Sequence, residues 1–180
     1  EAGLEPLADA LLADPMKVPE AEAAAYVDAD KGVEDVKAAL DGARQILMER
    51  FAEDAGLLEA LRAPLQDRGR VVSRVIEGKA AEGQKFRDWF DFDEAWKDLP
   101  SHRALALFRG RNEGVLGLAI KLPEELAAEA TLKGASPCEG MIAAHLGLAD
   151  RGRPADKWLM DTVRWTWKVK LSLQIGRAHV

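Results

Sequence analysis

Apolar residues recur at helical spacing along most of this chain, and the clearest stretch lies between residues 32 and 54. There the apolar side chains return every three or four positions, while charged side chains fill the other face. The apolar stripe consists of Val33, Val36, Leu40, Ala43, Leu47 and Phe51. This pattern predicts one long amphipathic helix.

Shorter apolar patterns, bounded by proline and glycine, predict further helices. Ser101 follows Pro100 and is the expected N-cap of one of them, which is expected to end by Gly110. The predicted spans are 4–13, 20–27, 57–67, 101–110, a helix starting at Pro123, 138–147 and 154–173. The last of these is apolar on several sides, so we expect it to be buried on more than one side or to await a partner.

Residues 70–77 and 114–121 favour strand as much as helix. The first segment is rich in β-branched residues, and the second is a short apolar run. If both are strands, one antiparallel pair satisfies the backbone groups that two separate edges would leave unpaired. The predicted fold class is therefore mainly α, a multi-helical domain with room for one short antiparallel β pair.

The length of 180 residues and the hydrophobic content of 48% allow a substantial core. One domain spanning residues 1–173 is the default, and the alternative is two subdomains that meet near residue 68. The predicted core contains several tryptophans together with Leu47, Phe51, Leu58, Leu61, Leu105, Leu107 and Phe108.

The charge changes sign along the chain, whose net charge is −6. Residues 1–67 carry a net charge of −10, residues 68–111 carry +3 and residues 112–180 carry +1. Residues 1–67 therefore repel polyanions. Residues 68–111 carry no net negative charge that would repel them. With a pI of about 5.2, the whole chain lacks the strongly basic character of an independent nucleic-acid binder.

The middle segment carries six cations among aromatic residues, and both kinds of side chain occur in nucleic-acid interfaces. The candidate phosphate contacts are Lys79, Lys85, Arg87, Arg103, Arg109 and Arg111. In the alternative interpretation, Arg109 and Arg111 stabilise the carbonyl end of their helix and the rings lie in the core. The core is favoured for the rings, whereas both interpretations stay open for the arginines. The rings are those of Phe86, Trp89, Phe90 and Phe108.

No residue pattern supports catalysis, a cofactor or a metal site. The chain lacks GxSxG, HExxH and CxxC motifs, and a single cysteine, Cys138, excludes an internal disulfide and a four-cysteine zinc site. His102 and His145 lack partners at metal-binding spacing and are interpreted as structural. We therefore predict a protein that is not an enzyme and that has no catalytic residue, metal or cofactor.

Two further patterns have structural interpretations. The segment GRNEGVLG matches neither common phosphate-binding loop, so Gly110 is interpreted as the glycine that ends a helix. Asp91, Asp93 and Glu94 could bind a divalent cation through their oxygens, but a solvated helix start is the favoured interpretation.

The cellular setting expected from the sequence is the cytoplasm, without membrane contact. Low cysteine usage fits a reducing compartment, and no apolar run is long enough to span a bilayer. The acidic start lacks the basic region of a secretory signal. Because position 1 is not methionine and the chain opens within an amphipathic pattern, we expect a fragment of a longer protein.

Five separated segments resemble the Tex family of bacterial transcription accessory proteins, and together they extend over nearly the whole chain. They are EAGLEPLAD at 1–9, KGVEDVKAALDGARQILMERFAED at 31–54, EGKAAEGQKFRDWFDFDE at 77–94, PSHRALALFRGRNEGVL at 100–116 and VRWTWKVKLSL at 163–173. After VKLSL the family pattern continues as an acidic, leucine-rich helix, whereas residues 174–180 have the sequence QIGRAHV. We interpret residues 174–180 as a tail from cloning or a sequencing junction and leave them out of the fold prediction.

The resemblance implies a multidomain parent protein. Members of the family look like multidomain proteins. Their parts are a helical N-terminal region, a ribonuclease-H-like YqgF domain thought to lack nuclease activity, helix-hairpin-helix elements and a C-terminal OB-type RNA-binding domain. By this resemblance the chain corresponds to the helical region before the YqgF-like domain. Most of the nucleic-acid affinity is then expected to come from the C-terminal part of the parent.

Two functions compete on this basis. In the first, the chain is a non-enzymatic helical scaffold within a transcription accessory factor, whose full-length form binds RNA or DNA. In the second, it is a protein-protein interaction module that docks downstream domains of the parent or the transcription machinery, without touching nucleic acid. The aromatic-rich region of Trp165 and Trp167 is the expected docking surface in that case.

Overall fold

The computed structural model describes residues 3–126 and 137–171 of the chain. These residues are mainly α-helical with one small antiparallel sheet, which confirms the predicted fold class. The chain divides into two compact units. Unit 1 consists of Glu1–Leu57 and Glu139–Lys170, and unit 2 of Leu58–Cys138 and Leu171–Val180. The tail predicted at residues 174–180 lies outside the described part.

Each predicted helical span contains a helix, with boundaries that differ by a few residues. The helices are α1 Glu5–Ala13, α2 Pro19–Ala24, α3 Val36–Glu53, α4 Ala55–Arg68, α5 Ser101–Asn112, α6 Pro137–Leu146 and α7 Asp156–Trp165, which continues as a π-helix over Thr166–Leu171. The strands are β1 Arg70–Val75, β2 Asp91–Ala95 and β3 Leu116–Lys121. Short 3-10 helices lie at Ala29–Lys31, Gln84–Trp89 and Trp96–Asp98, and residues 123–126 are helical.

Helix α3 is the central element of unit 1, since α1, α2 and α7 all pack against it. Its first turn is capped by Asp35, whose carboxylate accepts the backbone N–H of Ala38 at 2.7 Å. Its buried face is formed by Ala39, Ala43, Leu47, Met48, Phe51 and Ala52. The helix starts later than the apolar stripe suggests, because Val33 is buried before α3, where it pairs with Asp28 in an isolated β-bridge.

Arg44 joins α3 to α7 within unit 1. Its Nε donates to the Thr162 hydroxyl at 3.2 Å, and its guanidinium lies 5.4 Å from the centroid of the Trp158 ring. The Thr162 hydroxyl in turn donates to the Trp158 carbonyl at 2.8 Å. The cation, the ring and the hydroxyl therefore fix the register of the two helices through one side chain.

A buried carboxylate holds the loop that precedes α7. Asp156 accepts the backbone N–H groups of Arg151 at 2.8 Å and Arg153 at 3.0 Å, and it also accepts the Arg153 guanidinium at 2.9 Å. The Arg153 side chain, followed by the two backbone donors, lowers the pKa of Asp156 to about 2, although burial opposes the shift. The ionised carboxylate is therefore part of the folded structure at neutral pH.

We expect Asp156→Asn to lower the free energy of unfolding at pH 7, because the amide carries no charge to pair with Arg153. A folded-state pKa below the ordinary value means that the contribution of Asp156 is complete above about pH 4 and is lost as the pH falls toward about 2. Urea unfolding across this range measures the difference between the variant and the wild type, which should shrink with acidification.

Asp150→Asn is the control for this prediction, since Asp150 on the same loop accepts one exposed hydrogen bond, from the Gly152 N–H at 3.1 Å. We expect a smaller effect from it. A destabilisation by Asp156→Asn that stays constant from neutral to acid pH would contradict the assigned role of the charge.

The sheet of unit 2 has the order β2–β1–β3, and both pairs are antiparallel. The register places Val72 of β1 between Asp93 of β2 and Ala119 of β3. The predicted pair of strands corresponds to β1 and β3 and is therefore confirmed. The third strand, β2, was not predicted.

The interpretation of Asp91, Asp93 and Glu94 as a solvated helix start is wrong, since all three residues lie on β2. Asp91 pairs with Arg74 at 3.0 Å and Asp93 with Arg70 at 2.6 Å, both across the ladder to β1. Such opposite charges on neighbouring strands stabilise a strand that is poor in apolar residues. The countercharges are distant in sequence, so the local pattern of β2 did not reveal them.

One face of the sheet packs against α5 and the 3-10 helix Gln84–Trp89. The buried centre of this layer consists of Phe86, Leu107, Val115 and Leu116. Of the residues predicted for the core, Leu47, Phe51, Leu61 and Leu107 are buried, and so are Trp96, Trp158 and Trp167. Leu58 and Phe108 are half-buried.

Leu105 was predicted in the core and is 60% exposed, so that prediction is wrong. The buried face of α5 carries Ala104, Leu107 and Gly110, which leaves Leu105 on the opposite side. The predicted N-cap is also wrong, because Pro100 occupies that position and the Ser101 side chain makes no capping hydrogen bond.

Gly110 does not end α5, contrary to the prediction, but lies within it, and the helix continues to Asn112. Gly114, with a φ of 75°, provides the left-handed residue beyond the helix. Gly110 is instead a point of close packing, because a Cβ there would collide with the Leu116 side chain on β3.

We expect Gly110→Ala to destabilise unit 2. The added Cβ would lie 2.8 Å from Leu116 Cγ and 3.3 Å from Phe86 Cδ1. Overpacking of this kind costs about 1–3 kcal/mol, which should outweigh the gain of up to about 1 kcal/mol in helix propensity. Urea unfolding measures the net change.

Gly140→Ala is the matched control, because Gly140 also lies within a helix, α6, but a Cβ there meets open space. We expect it to stabilise by about 0.5–1 kcal/mol. Equal effects of the two substitutions would show that packing against Leu116 does not explain the glycine at position 110.

Candidate nucleic-acid interface

All six candidate cations lie in unit 2. Lys79 precedes the 3-10 helix Gln84–Trp89, which itself carries Lys85 and Arg87. The other three, Arg103, Arg109 and Arg111, lie on α5. Five of the six therefore lie on the two elements that pack against the sheet, and Lys79 lies in the segment before them.

The three cations nearest the 3-10 helix each have an acidic neighbour. Lys79 pairs with Glu82 at 3.1 Å, and Lys85 pairs with Glu113 at 2.8 Å. Arg87, whose side chain is 76% exposed, lies 4.0 Å from the carboxylate of Asp88. Lys79 and Lys85 are thus neutralised locally, whereas Arg87 has only a loose partner.

Arg103 is held more firmly, because its Nη1 lies 3.0 Å from both carboxylate oxygens of Glu94 on β2. The Glu94 side chain is mostly shielded from solvent. This contact joins the start of α5 to the edge of the sheet, so Arg103 has a clear structural role.

Arg109 and Arg111 differ from the other four. Arg109 is exposed, and its side chain makes no ion pair or hydrogen bond with any residue in the described part of the chain. The Arg111 guanidinium lies 5.0 Å from the centroid of the Phe108 ring, and its Nη2 is 3.5 Å from the Asn112 side-chain oxygen. Both belong to the last turn of α5, where cations also interact favourably with the helix dipole.

The structure brings Lys85 to the C-terminal end of α5 through its ion pair with Glu113. Phe86 lies against Gly110 in the same region, which fixes the 3-10 helix on α5. Arg103 lies near the opposite end of α5, six residues before Arg109. Of the four cations placed relative to α5, Lys85, Arg109 and Arg111 therefore lie at its C-terminal end and Arg103 near its start.

The aromatic residues of this region serve mainly as packing groups. Phe86 is buried, and Trp89 and Phe90 pack against its core cluster while partly exposed. Trp89 meets Phe92 edge to face, with ring centroids 5.0 Å apart. The favoured core interpretation therefore holds for these rings.

Two further cations of unit 2, Arg70 and Arg74, were not among the candidates, and they lie on the face of β1 opposite to Val71 and Val75, which pack under α5. They lie on β1 and pair with Asp93 and Asp91. A strand places alternate residues on one face, so the spacing of four between the two arginines could have indicated a common face.

The two histidines and the cysteine that were considered for catalysis or metal binding differ in their surroundings. His145 Nε2 is 3.3 Å from Asp54 Oδ2, while Asp54 Oδ1 accepts the Leu57 N–H at 3.0 Å at the start of α4. The Leu57 N–H, and to a smaller extent His145, lower the pKa of Asp54. His102 is exposed on α5, and Cys138 is buried.

Within residues 3–126 and 137–171, no group of three or more His, Cys, Asp or Glu side chains is arranged to hold a metal ion. Over the same residues, no helix combines the length and the apolar character needed to cross a membrane.

Comparison with known proteins gives a consistent family assignment. A protein-family model described as Tex central region-like matches residues 14–179. Protein YhgF of Escherichia coli (strain K12) is 54% identical over 175 residues, which cover 97% of this chain and 22% of that relative. Protein tex of Bordetella pertussis is 50% identical over 176 residues, covering 95% and 22%.

The transcriptional accessory protein Tex of Neisseria gonorrhoeae is 46% identical over 175 residues, covering 97% of this chain and 22% of the relative. The chain thus spans 22% of the length of each of these curated relatives.

Proposed function

This chain belongs to the Tex family, and we propose that it serves as a non-enzymatic helical scaffold within a nucleic-acid-associated transcription accessory factor. The name of the relative from Neisseria gonorrhoeae describes a transcriptional accessory protein, which supports this class of function. The proposed setting is the cytoplasm, and the proposed nucleic-acid ligand is RNA or DNA, bound through the full-length parent.

The division of charge between the units supports a nucleic-acid contact on unit 2. Unit 1 has 11 Lys/Arg and 18 Asp/Glu, a net charge of −7, whereas unit 2 has 14 and 13, a net charge of +1. A polyanion is repelled by the first and tolerated by the second. Unit 2 also carries all six candidate cations.

The observation that supports the proposal most strongly is the exposed, unpaired state of Arg109 in the described part of the chain. Its exposed guanidinium has no carboxylate partner in the described part of the chain, so contact with a phosphate would break no existing ion pair. Arg87 is the second candidate, since its neighbour Asp88 is at the limit of ion-pair distance.

Lys79, Lys85 and Arg103 would first have to leave carboxylate partners at 2.8–3.1 Å. We therefore propose weak affinity for the isolated chain, with few phosphate contacts. This fits a supporting segment whose parent holds nucleic acid mainly through other parts.

The experiment is a gel shift with single-stranded and duplex RNA and DNA over a range of salt concentrations. We expect binding at low salt whose affinity falls as salt rises, because bound phosphates release counterions. Arg109→Ala should weaken binding to all sequences alike and reduce the slope of log affinity against log salt by about 1.

Lys37→Ala is the control, because Lys37 is an exposed cation of unit 1 and pairs with Asp41 at 3.4 Å. It should leave both affinity and slope unchanged. Absence of binding at low salt, or an equal loss in Lys37→Ala and Arg109→Ala, would rule out Arg109 as a phosphate contact of this chain.

A further inference from the structure

The sheet of unit 2 ends in the strand β2, which pairs with β1 on one side only among the described residues. Two hydrogen bonds fix which backbone groups of β2 face β1. The Val75 N–H donates to the Phe90 carbonyl at 3.0 Å, and the Trp96 N–H donates to the Gly69 carbonyl at 2.9 Å. Between these bonds, alternate residues of β2 bond to β1, as in any antiparallel ladder.

The alternation leaves part of the β2 backbone without a partner. Phe92 and Glu94 bond to β1, so the backbone groups of the residues between and beside them point away from it. No hydrogen bond joins these outward groups to any residue within 3–126 and 137–171. They are the N–H and C=O groups of Asp91 and Asp93 and the N–H of Ala95, and we call them the β2 edge.

The two edges of the sheet differ in accessibility. On β3 the same alternation turns the backbone groups of Leu116 and Ile120 outward, and both residues are buried. On β2, Asp91 and Asp93 are exposed. The main neighbours of this strand are β1 and the 3-10 helix Gln84–Trp89. The β2 edge is therefore the side of the sheet that another chain can reach.

The side chains of β2 give its two faces different characters. On one face, Asp91 is paired with Arg74 and Asp93 with Arg70, so these carboxylates are already neutralised by β1. On the other face, Phe92 packs against the apolar cluster under α5 and stays half-buried. A strand added at this edge would meet ion pairs on one face and an apolar ring on the other.

We propose that the β2 edge binds an extended segment of a partner protein as a fourth strand of the sheet. Unpaired N–H and C=O groups in this arrangement are complementary to another extended backbone, and the alternate side chains provide specificity. The segment that suits this edge is uncharged. It places apolar residues on the Phe92 side and hydroxyl residues on the side of the paired aspartates.

A second copy of this chain is a poorer occupant of the β2 edge. Its own β2 would bring the carboxylates of Asp91 and Asp93 close to those of the first copy, and like charges on neighbouring strands destabilise the pairing. Charged residues on an edge strand commonly prevent such self-pairing. An uncharged segment avoids this repulsion and leaves the ion pairs with β1 in place.

The test uses the full chain and a short fluorescein-labelled peptide of alternating valine and threonine, with binding measured by fluorescence anisotropy. The same peptide with every backbone nitrogen methylated is the matched probe, because it keeps the side chains and loses the N–H donors. We expect saturable binding of the first peptide and binding of the second that is weaker by about ten-fold or more. Amide hydrogen exchange, measured by NMR, should slow at Asp91 and Asp93 when the first peptide binds.

Ala95→Pro removes one donor of the β2 edge while keeping the strand. The φ of Ala95 is −56°, a value that proline adopts, and proline is tolerated on an edge strand where the N–H faces outward. We expect this variant to stay folded and to bind the unmethylated peptide about three- to ten-fold more weakly. Ala95→Val is the control, since it retains the N–H and should leave the affinity unchanged.

The comparison of the two peptides needs only the wild-type chain, so it stands even if a variant fails to fold. Equal binding of both peptides, or no binding of either, would overturn the proposal. Binding that leaves hydrogen exchange at Asp91 and Asp93 unchanged would also overturn it, because the peptide would then lie elsewhere. Slowed exchange at these residues in concentrated protein without peptide would overturn it in favour of a second copy.

Discussion

The carboxylates paired with the cations of unit 2 determine how much positive charge this unit presents to a polyanion. Lys79, Lys85 and Arg103 each lie within 3.1 Å of a glutamate oxygen. Ion pairs at this level of exposure contribute only about 0–1 kcal/mol, so a phosphate could replace the glutamate, but with little net gain. Two of these pairs, Lys85–Glu113 and Arg103–Glu94, also hold the 3-10 helix Gln84–Trp89 and β2 to α5. Structural support and weak phosphate affinity therefore have one physical origin.

The two units differ in the partners that their surfaces suit. Unit 1 carries the net negative charge, yet its last helical segment is rich in basic residues and exposes Trp165. Unit 2 is nearly neutral, and Arg109, an exposed cation without an ion pair in the described part of the chain, lies beside the exposed Leu105 on α5. A segment with such surfaces fits a role in arranging other parts of a larger protein.

Much of the fold could be predicted because it depends on local patterns. The apolar period of α3 indicated a helix directly, and the β-branched residues of β1 made a strand as plausible as a helix. β2 could not be predicted, since Asp91 and Asp93 become strand residues only through arginines on β1. Gly110 was misjudged for the same kind of reason, because its neighbour Leu116 lies on a different element.

The residue types of the candidate site could be predicted from the sequence. Their ion pairs and their exposure could not. Charge counting identified six cations, and it could not tell that Glu94 and Glu113 would pair with two of them. Nor could it separate Trp165 from Trp167, because a helix that is apolar on several sides does not show which side faces the core. Pairing and burial are tertiary properties, and only the fold supplies them.

The most direct test of the central claim is the salt dependence of binding to single-stranded RNA for the wild type and for Glu113→Gln. If the paired carboxylates limit the charge that unit 2 presents, removal of the Glu113 charge makes Lys85 available, and the slope of log affinity against log salt should steepen by about 0.7. An unchanged slope, with the variant folded, would contradict this claim.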